Sequence, residues 1–208
     1  RLVGSEMCIR DRIWEHKGNP AGQRLTANRT IESFYKWSGG GRIPIFCDTT
    51  SCTHTLLFET GGDILTPENR EKYKQLKIMD ITQWLKEVVL PRIKVIRPKN
   101  RILLHPTCSC QIMGLTPVLL DIARKCAREV ILPDNWGCCG ASGDRGFIFP
   151  ELSDSATRDE RDEIGHESFD GCYSLARTCE IAMQDHIEQP YESIVYLVDE
   201  TIQDLSLI

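Results

Sequence analysis

The distribution of apolar and polar positions reads as strand and helix in alternation. Leu25 to Lys36 reads as a helix, stopped by the Ser38-Gly39-Gly40-Gly41 run. Ile43 to Cys47 is a short apolar strand. Thr66-Pro67 opens a polar helix to about Leu76, with proline at the favoured first position. Asp80 is placed to cap a helix from Ile81 to Leu90, where Ile81, Trp84, Leu85 and Val88 share one face. The basic, proline-bounded stretch from Pro91 to Asn100 reads as a linker. Beyond it come a strand at Arg101 to His105, an amphipathic helix from Leu115 to Ala127 and a strand at Glu129 to Leu132. A charged helix from Glu151 to Ile164, a strand near Cys172 and a helix from about Thr178 follow. Strand-helix-strand units at this spacing imply parallel crossovers, so the expected class is α/β with parallel βαβ units.

The pattern also repeats weakly. Cys52, in Thr50-Ser51-Cys52-Thr53, follows Gly18 at nearly the distance at which Cys179, in Arg177-Thr178-Cys179-Glu180, follows Gly146. After each cysteine come a helix, a proline and a short apolar segment: Ile78-Met79 in one case, Ile194-Val195-Tyr196 in the other. Residues 1–12 show neither helical nor strand period and read as a non-native leader, which sets Cys8 aside. The expected organisation is this leader, a truncated first repeat over 13–95 and a complete second repeat over 96–208. The cysteine pair of the first repeat belongs at positions 10 and 11, where Arg10-Asp11 stand, so that copy is cut through its own loop.

Composition narrows the function classes. A net charge of -5 and the lack of any long Lys/Arg run give no footing for nucleic-acid binding. No apolar stretch nears the roughly 20 residues of a membrane span. Ten cysteines in 208 residues, without the dense layout of small secreted scaffolds, point to a reducing compartment where thiols serve metals or redox chemistry. The location expected is cytoplasmic, with any membrane association peripheral on the inner face.

The cysteines themselves carry the chemistry. Gly137-Cys138-Cys139-Gly140 sets two thiols on neighbouring residues of a Gly/Ser loop. A disulfide between them would be strained, because one peptide holds the Cα atoms too close. Cys108 follows the 101–105 strand, Cys138 and Cys139 follow the next, and Cys179 opens a helix after the third. All four therefore belong at the carboxyl ends of parallel strands, where α/β sheets gather their sites. Four thiolates suit zinc or an iron–sulfur cluster by count. Adjacent cysteines fit a multi-iron cluster better, since neighbouring thiolates can bind different irons. Gly137 and Gly140 would let the backbone pass close to it, with N–H groups directed at sulfur.

Cys108, then Cys138-Cys139-Gly140, then Cys179 resembles the cysteine-rich CCG domain. That domain occurs in heterodisulfide reductase, in the iron–sulfur subunit of glycolate oxidase and in the C-terminal part of FAD-linked D-lactate dehydrogenases. The last group is the nearest in HPTCS-QIMGL (105–115), W-GCCG-SGDRGF-PELS-SATR (136–158), Y-S-RTCEI (173–181) and PYESIVYLVDE (190–200). IPIFCDTTSCT (43–53) and LTPENREKY (65–73) are similar to the earlier repeat of those proteins. The resemblance implies tandem CCG repeats and a cluster of the 4Fe-4S type held by Cys108, Cys138, Cys139 and Cys179, with Gly140 beside it. Zinc is the alternative metal. It further implies an FAD domain and a ferredoxin-like segment upstream, and a quinone or cytochrome acceptor for electrons taken from flavin. The chain departs from the heterodisulfide reductase pattern, which ends in Cys-x-x-Cys where Cys179 here has no such partner, and this favours four ligands.

The remaining candidates have plainer readings. Cys172, Cys110 and Cys52 are further ligand candidates, whereas Cys126 and Cys47 read as buried small hydrophobes. His105 reads as a hydrogen-bonded structural histidine rather than a zinc ligand. Arg145 and Arg177 suit either the surface or a place beside thiolates. No G-x-G-x-x-G fingerprint precedes a helix, and the histidines follow no pattern that marks a general base. The chain by itself is therefore expected to lack dehydrogenase activity. A thiol–disulfide redox module, as the heterodisulfide reductase likeness allows, and a zinc-stabilised interaction domain are the competing readings.

Overall fold

The computed structural model describes residue 14 and residues 17–202; the leader and positions 10 and 11 lie outside the described residues. The chain divides into two compact units, with Cys52–Asp80 and the preceding residues to Cys47 in one, and Asp48–Ser51 and the residues from Ile81 in the other.

In the first unit, α1 (Pro20–Trp37) starts at Asn19, whose side chain accepts from the Gly22 N–H, and runs longer than the apolar spacing alone indicates. The strand β1 (Ile45–Cys47) pairs in parallel with β2 (Ile78–Asp80), Cys47 standing opposite Asp80. Helix α2 (Thr50–His54), which runs on as a π turn over Thr55–Glu59, and α3 (Pro67–Gln75) lie between these strands in sequence. The Thr66 hydroxyl accepts from Asn69 N–H and caps α3, with Pro67 at its first position. Asp80 closes β2, so it belongs to a strand as well as preceding α4 (Ile81–Trp84), which continues as a π turn over Leu85–Val89.

The second unit is built on one four-stranded sheet. Strands β3 (Lys99–Leu104), β4 (Ala127–Ile131), β5 (Gly171–Ser174) and β6 (Tyr191–Ser193) stand in the order β4-β3-β5-β6, and every pairing is parallel. Helices α5 (Cys108–Ile112) and α6 (Thr116–Cys126) connect β3 to β4. Helices α7 (Arg145–Ile148) and α8 (Pro150–Ile164) connect β4 to β5, α9 (Arg177–Ile187) connects β5 to β6, and α10 (Ile194–Thr201) follows β6. The protein is thus α/β with parallel βαβ units.

Alternation along the strands separates two cores. Ile102 and Leu104 face a cluster with Leu119, Ile122, Cys126, Tyr173 and Leu197, which α6 and α10 cover. Leu103 faces the opposite cluster with Cys139, Cys172, Cys179, Met183 and Tyr191, on the side of α8 and α9. Burying side chains on both faces explains why β3 reads as a continuous apolar run. Ile81, Leu85 and Leu90 join the first of these cores. The stretch expected to be a linker also belongs here: Val95 bridges to Ile202, and the N–H groups of Ile96 and Arg97 donate to Thr201 O. The second unit thus takes in the residues from Ile81 together with Asp48–Ser51.

Candidate functional site

The connection leaving β3 runs toward β4 on one side and that leaving β5 runs toward β6 on the other, so strand order reverses between β3 and β5. Crevices at such reversals, outside the carboxyl ends of the strands, are where open α/β sheets place their sites. Cys108 begins α5 after β3, Cys138 and Cys139 lie in the loop after β4, and Cys179 lies in the first turn of α9 after β5.

The four thiols lie close enough to act on one another. Cys139 Sγ–H donates to Cys179 Sγ across 2.9 Å. Cys138 accepts from the Gly140 N–H at 3.4 Å, and the thiols of Cys108 and Cys139 are near enough to lower its pKa. Cys139 and Cys179 are buried, and Cys108 and Cys138 are exposed. These contacts distribute acidity unevenly. Donation from Cys108, then from Cys139, holds the Cys138 thiol far below its ordinary pKa, against a smaller opposing cost of burial. Cys108 is pushed up by its hydrogen bond to Cys138 and then by burial, and Cys139 by its bonds to Cys138 and Cys179 and then by burial.

Gly140 makes this arrangement sterically feasible. Its φ is +73°, and a Cβ there would lie 2.6 Å from Leu152 O and 2.7 Å from Ser153 Cα, both backbone atoms of α8. Among the described residues nothing lies within 4 Å of a Cβ added at Gly137, so glycine is sterically required at only the second glycine of the motif.

A buried polar stripe of α8 lies against the cysteine loop. The buried residues of this helix are Ser153, Thr157, Glu160 and Ile164, which recur on one face. Glu160 meets His105 at the end of β3, where Nδ1 lies 2.9 Å from Oε2 and 3.2 Å from Oε1, with both side chains 1% exposed. The other ring nitrogen, Nε2, is buried with no hydrogen-bond partner among the described residues, as are Ser153 Oγ and Tyr191 Oη. The Tyr191 ring meets the imidazole edge-on at 6.4 Å. His105 also acts electrostatically on Cys138. Sequence reasoning identified His105 as a hydrogen-bonded histidine but missed Glu160 as its partner. The signal was the spacing of Ser153, Thr157 and Glu160 ahead of Ile164, hidden because only Ile164 is apolar.

The other candidates lie apart from these four thiols. Cys110 is in the opposite core, its Sγ 3.9 Å from Thr116 Oγ1. Cys172 shares the core of Cys139 and Cys179, where burial pushes its thiol up to about 12. Cys52 is half-buried in the first unit, and Cys126 is sealed in the core under α6. Arg177 is directed to Glu180, 3.1 Å away, and Arg145 is exposed at the start of α7.

Among the described residues no group of three or more His, Cys, Asp or Glu side chains is disposed to hold a metal ion. Adjacent Cys138 and Cys139 suit a single tetrahedral ion less well than a larger group whose separate irons bind neighbouring thiolates. The donor set, four thiols from three loops with a backbone N–H on one sulfur and an orphaned imidazole nitrogen buried nearby, fits such a group chemically. No protein-family model matches the chain, and no curated protein matches it. Among the described residues no helix is long and apolar enough to cross a membrane.

Proposed function

We infer that the second unit is a CCG-type electron-transfer module whose iron–sulfur cluster is held by Cys108, Cys138, Cys139 and Cys179. The observation that carries this reading is the meeting of four thiols from three separate loops at the strand-order reversal of a parallel sheet. A cluster bound there would supply one-electron transfer. The chain's own contribution is the thiolates, the Gly140 N–H toward Cys138, and burial of Cys139 and Cys179, which excludes water from the sulfur side. Within a FAD-linked D-lactate or related D-2-hydroxyacid dehydrogenase, the module would carry electrons from flavin to a quinone or cytochrome acceptor. The hydride chemistry would then belong to the flavin domain, because an iron–sulfur centre moves single electrons.

Iron and acid-labile sulfide, measured on anaerobically purified protein, test the reading. Wild type and Cys126→Ser should carry both in stoichiometric amount with visible cluster absorbance, and Cys139→Ser should lose them. Zinc without sulfide, or equal behaviour of the two variants, overturns it.

A further inference from the structure

The imidazole of His105 is fixed from several sides. Its backbone N–H donates to Tyr173 O at 3.0 Å and its carbonyl accepts from the Ser174 hydroxyl at 2.8 Å, so β5 holds the main chain. Both Glu160 carboxyl oxygens lie on Nδ1, at 2.9 and 3.2 Å, and the Tyr191 ring meets the imidazole edge-on. A carboxylate can only accept, so the ring proton sits on Nδ1 and Nε2 keeps its lone pair. That nitrogen is buried with no hydrogen-bond partner among the described residues. A histidine kept for structure alone would pair both ring nitrogens, because a buried polar atom is rarely left unpaired.

Histidines that bind metal are built this way: one ring N–H donates to a carboxylate, which fixes tautomer and ring orientation, and the other nitrogen binds the metal. Position agrees with that role. His105 directly follows β3, ahead of Cys108 in the same connection, and it acts electrostatically on Cys138. Glu160 shares the buried face of α8 with Ser153, whose Cα is one of the atoms that a Cβ at Gly140 would meet. The helix that orients the imidazole therefore also packs on the cysteine loop. Given the cluster reading above, we propose that His105 Nε2 is a fifth protein ligand to the iron–sulfur cluster, beside Cys108, Cys138, Cys139 and Cys179, and that Glu160 is the positioning residue that holds it for iron.

Four thiolates supply one ligand to each iron of a 4Fe-4S cluster. A nitrogen beside them gives one iron two protein ligands and sets that iron apart from the other three. A purely structural role for His105 accounts for the Nδ1 contact and leaves Nε2 without a function; ligation accounts for both.

The experiment uses the full chain, grown with histidine labelled in the ring with heavy nitrogen, purified anaerobically and assayed for iron and acid-labile sulfide. Pulsed EPR of the cluster in its paramagnetic state reads the nitrogen couplings. Wild type should show a strong coupling to a histidine ring nitrogen that changes with the label. His105→Ala should lose that coupling, and His186→Ala, which alters a histidine of α9, should keep it. Circular dichroism checks folding; if His105→Ala does not fold, His105→Gln serves, and the labelled wild type needs no substitution. A cluster coupled only to nitrogens that the label leaves unchanged, as a buried water on Nε2 would give, overturns the proposal and leaves the cluster reading standing. A histidine coupling that survives in the His105 variants does the same. Wild type without iron and sulfide overturns both.

Discussion

Replacing Gly140 by alanine tests the packing that supports the cysteine loop. The residue sits at φ +73°, where a Cβ costs about 1–2 kcal/mol. The new methyl would also meet Leu152 O at 2.6 Å and Ser153 Cα at 2.7 Å. Both are backbone atoms of a helix whose Ser153, Thr157 and Glu160 are buried, so rotation of a side chain cannot relieve the contact. Forcing the loop and helix apart adds about 1–3 kcal/mol, as overpacking does. Loss of glycine freedom in the unfolded chain returns about 0.4–1 kcal/mol. The net expectation is a loss of about 3 kcal/mol, or roughly 6–12 °C in the melting temperature of a domain of this size. Calorimetry and urea titration of Gly140→Ala measure this, with Gly137→Ala as the comparison. Among the described residues nothing lies within 4 Å of a Cβ at Gly137, so its substitution should change stability by less than about 0.5 kcal/mol in either direction, apart from any unfolded-state gain. Equal effects at the two glycines would refute the steric argument.

Two further outcomes follow from the polar contacts of the second unit. Glu160→Leu leaves a buried imidazole nitrogen without its hydrogen-bond partner and should cost about 1–3 kcal/mol in urea unfolding, whereas the double variant His105→Leu/Glu160→Leu should recover much of that loss. If the double variant is as unstable as the sum of the single ones, the two groups do not act as a pair. Glu163 accepts from the N–H groups of Asn135 and Asp134 at 2.8 and 2.7 Å, and these bonds hold its carboxyl below the usual range. A depressed folded-state value contributes stability that is fully present above the unfolded carboxylate pKa and is lost as pH falls through the folded value. The stability gap between wild type and Glu163→Gln should therefore be widest near neutral pH and close on acidification; a gap that widens below pH ~4 would contradict the assignment.

The parallel class of the sheet was legible because the strands announce themselves as short apolar runs separated by helical periods. Helix starts were legible where local chemistry decides them, as at Thr66-Pro67. Boundaries were less so. The 91–100 stretch reads as a linker by its prolines and charge, yet its backbone pairs with Thr201 and Ile202, residues far along the chain. Local composition carries no record of such a pairing.

For the site, the chain order of Cys108, Cys138-Cys139 and Cys179 after successive strands was enough to place all four at one end of a parallel sheet, because every such strand points the same way. Strand order was not enough to follow. Only the tertiary structure places β3 beside β5, and that reversal brings loops distant in sequence to one crevice. The division into exposed and buried thiols, and the Glu160 carboxylate beneath His105, are likewise tertiary. A hydrogen bond across the 55 residues from 105 to 160 depends on how α8 is rotated against the sheet. That rotation is set by the summed packing of a helix whose buried face is mostly polar, which hydrophobic periodicity does not register.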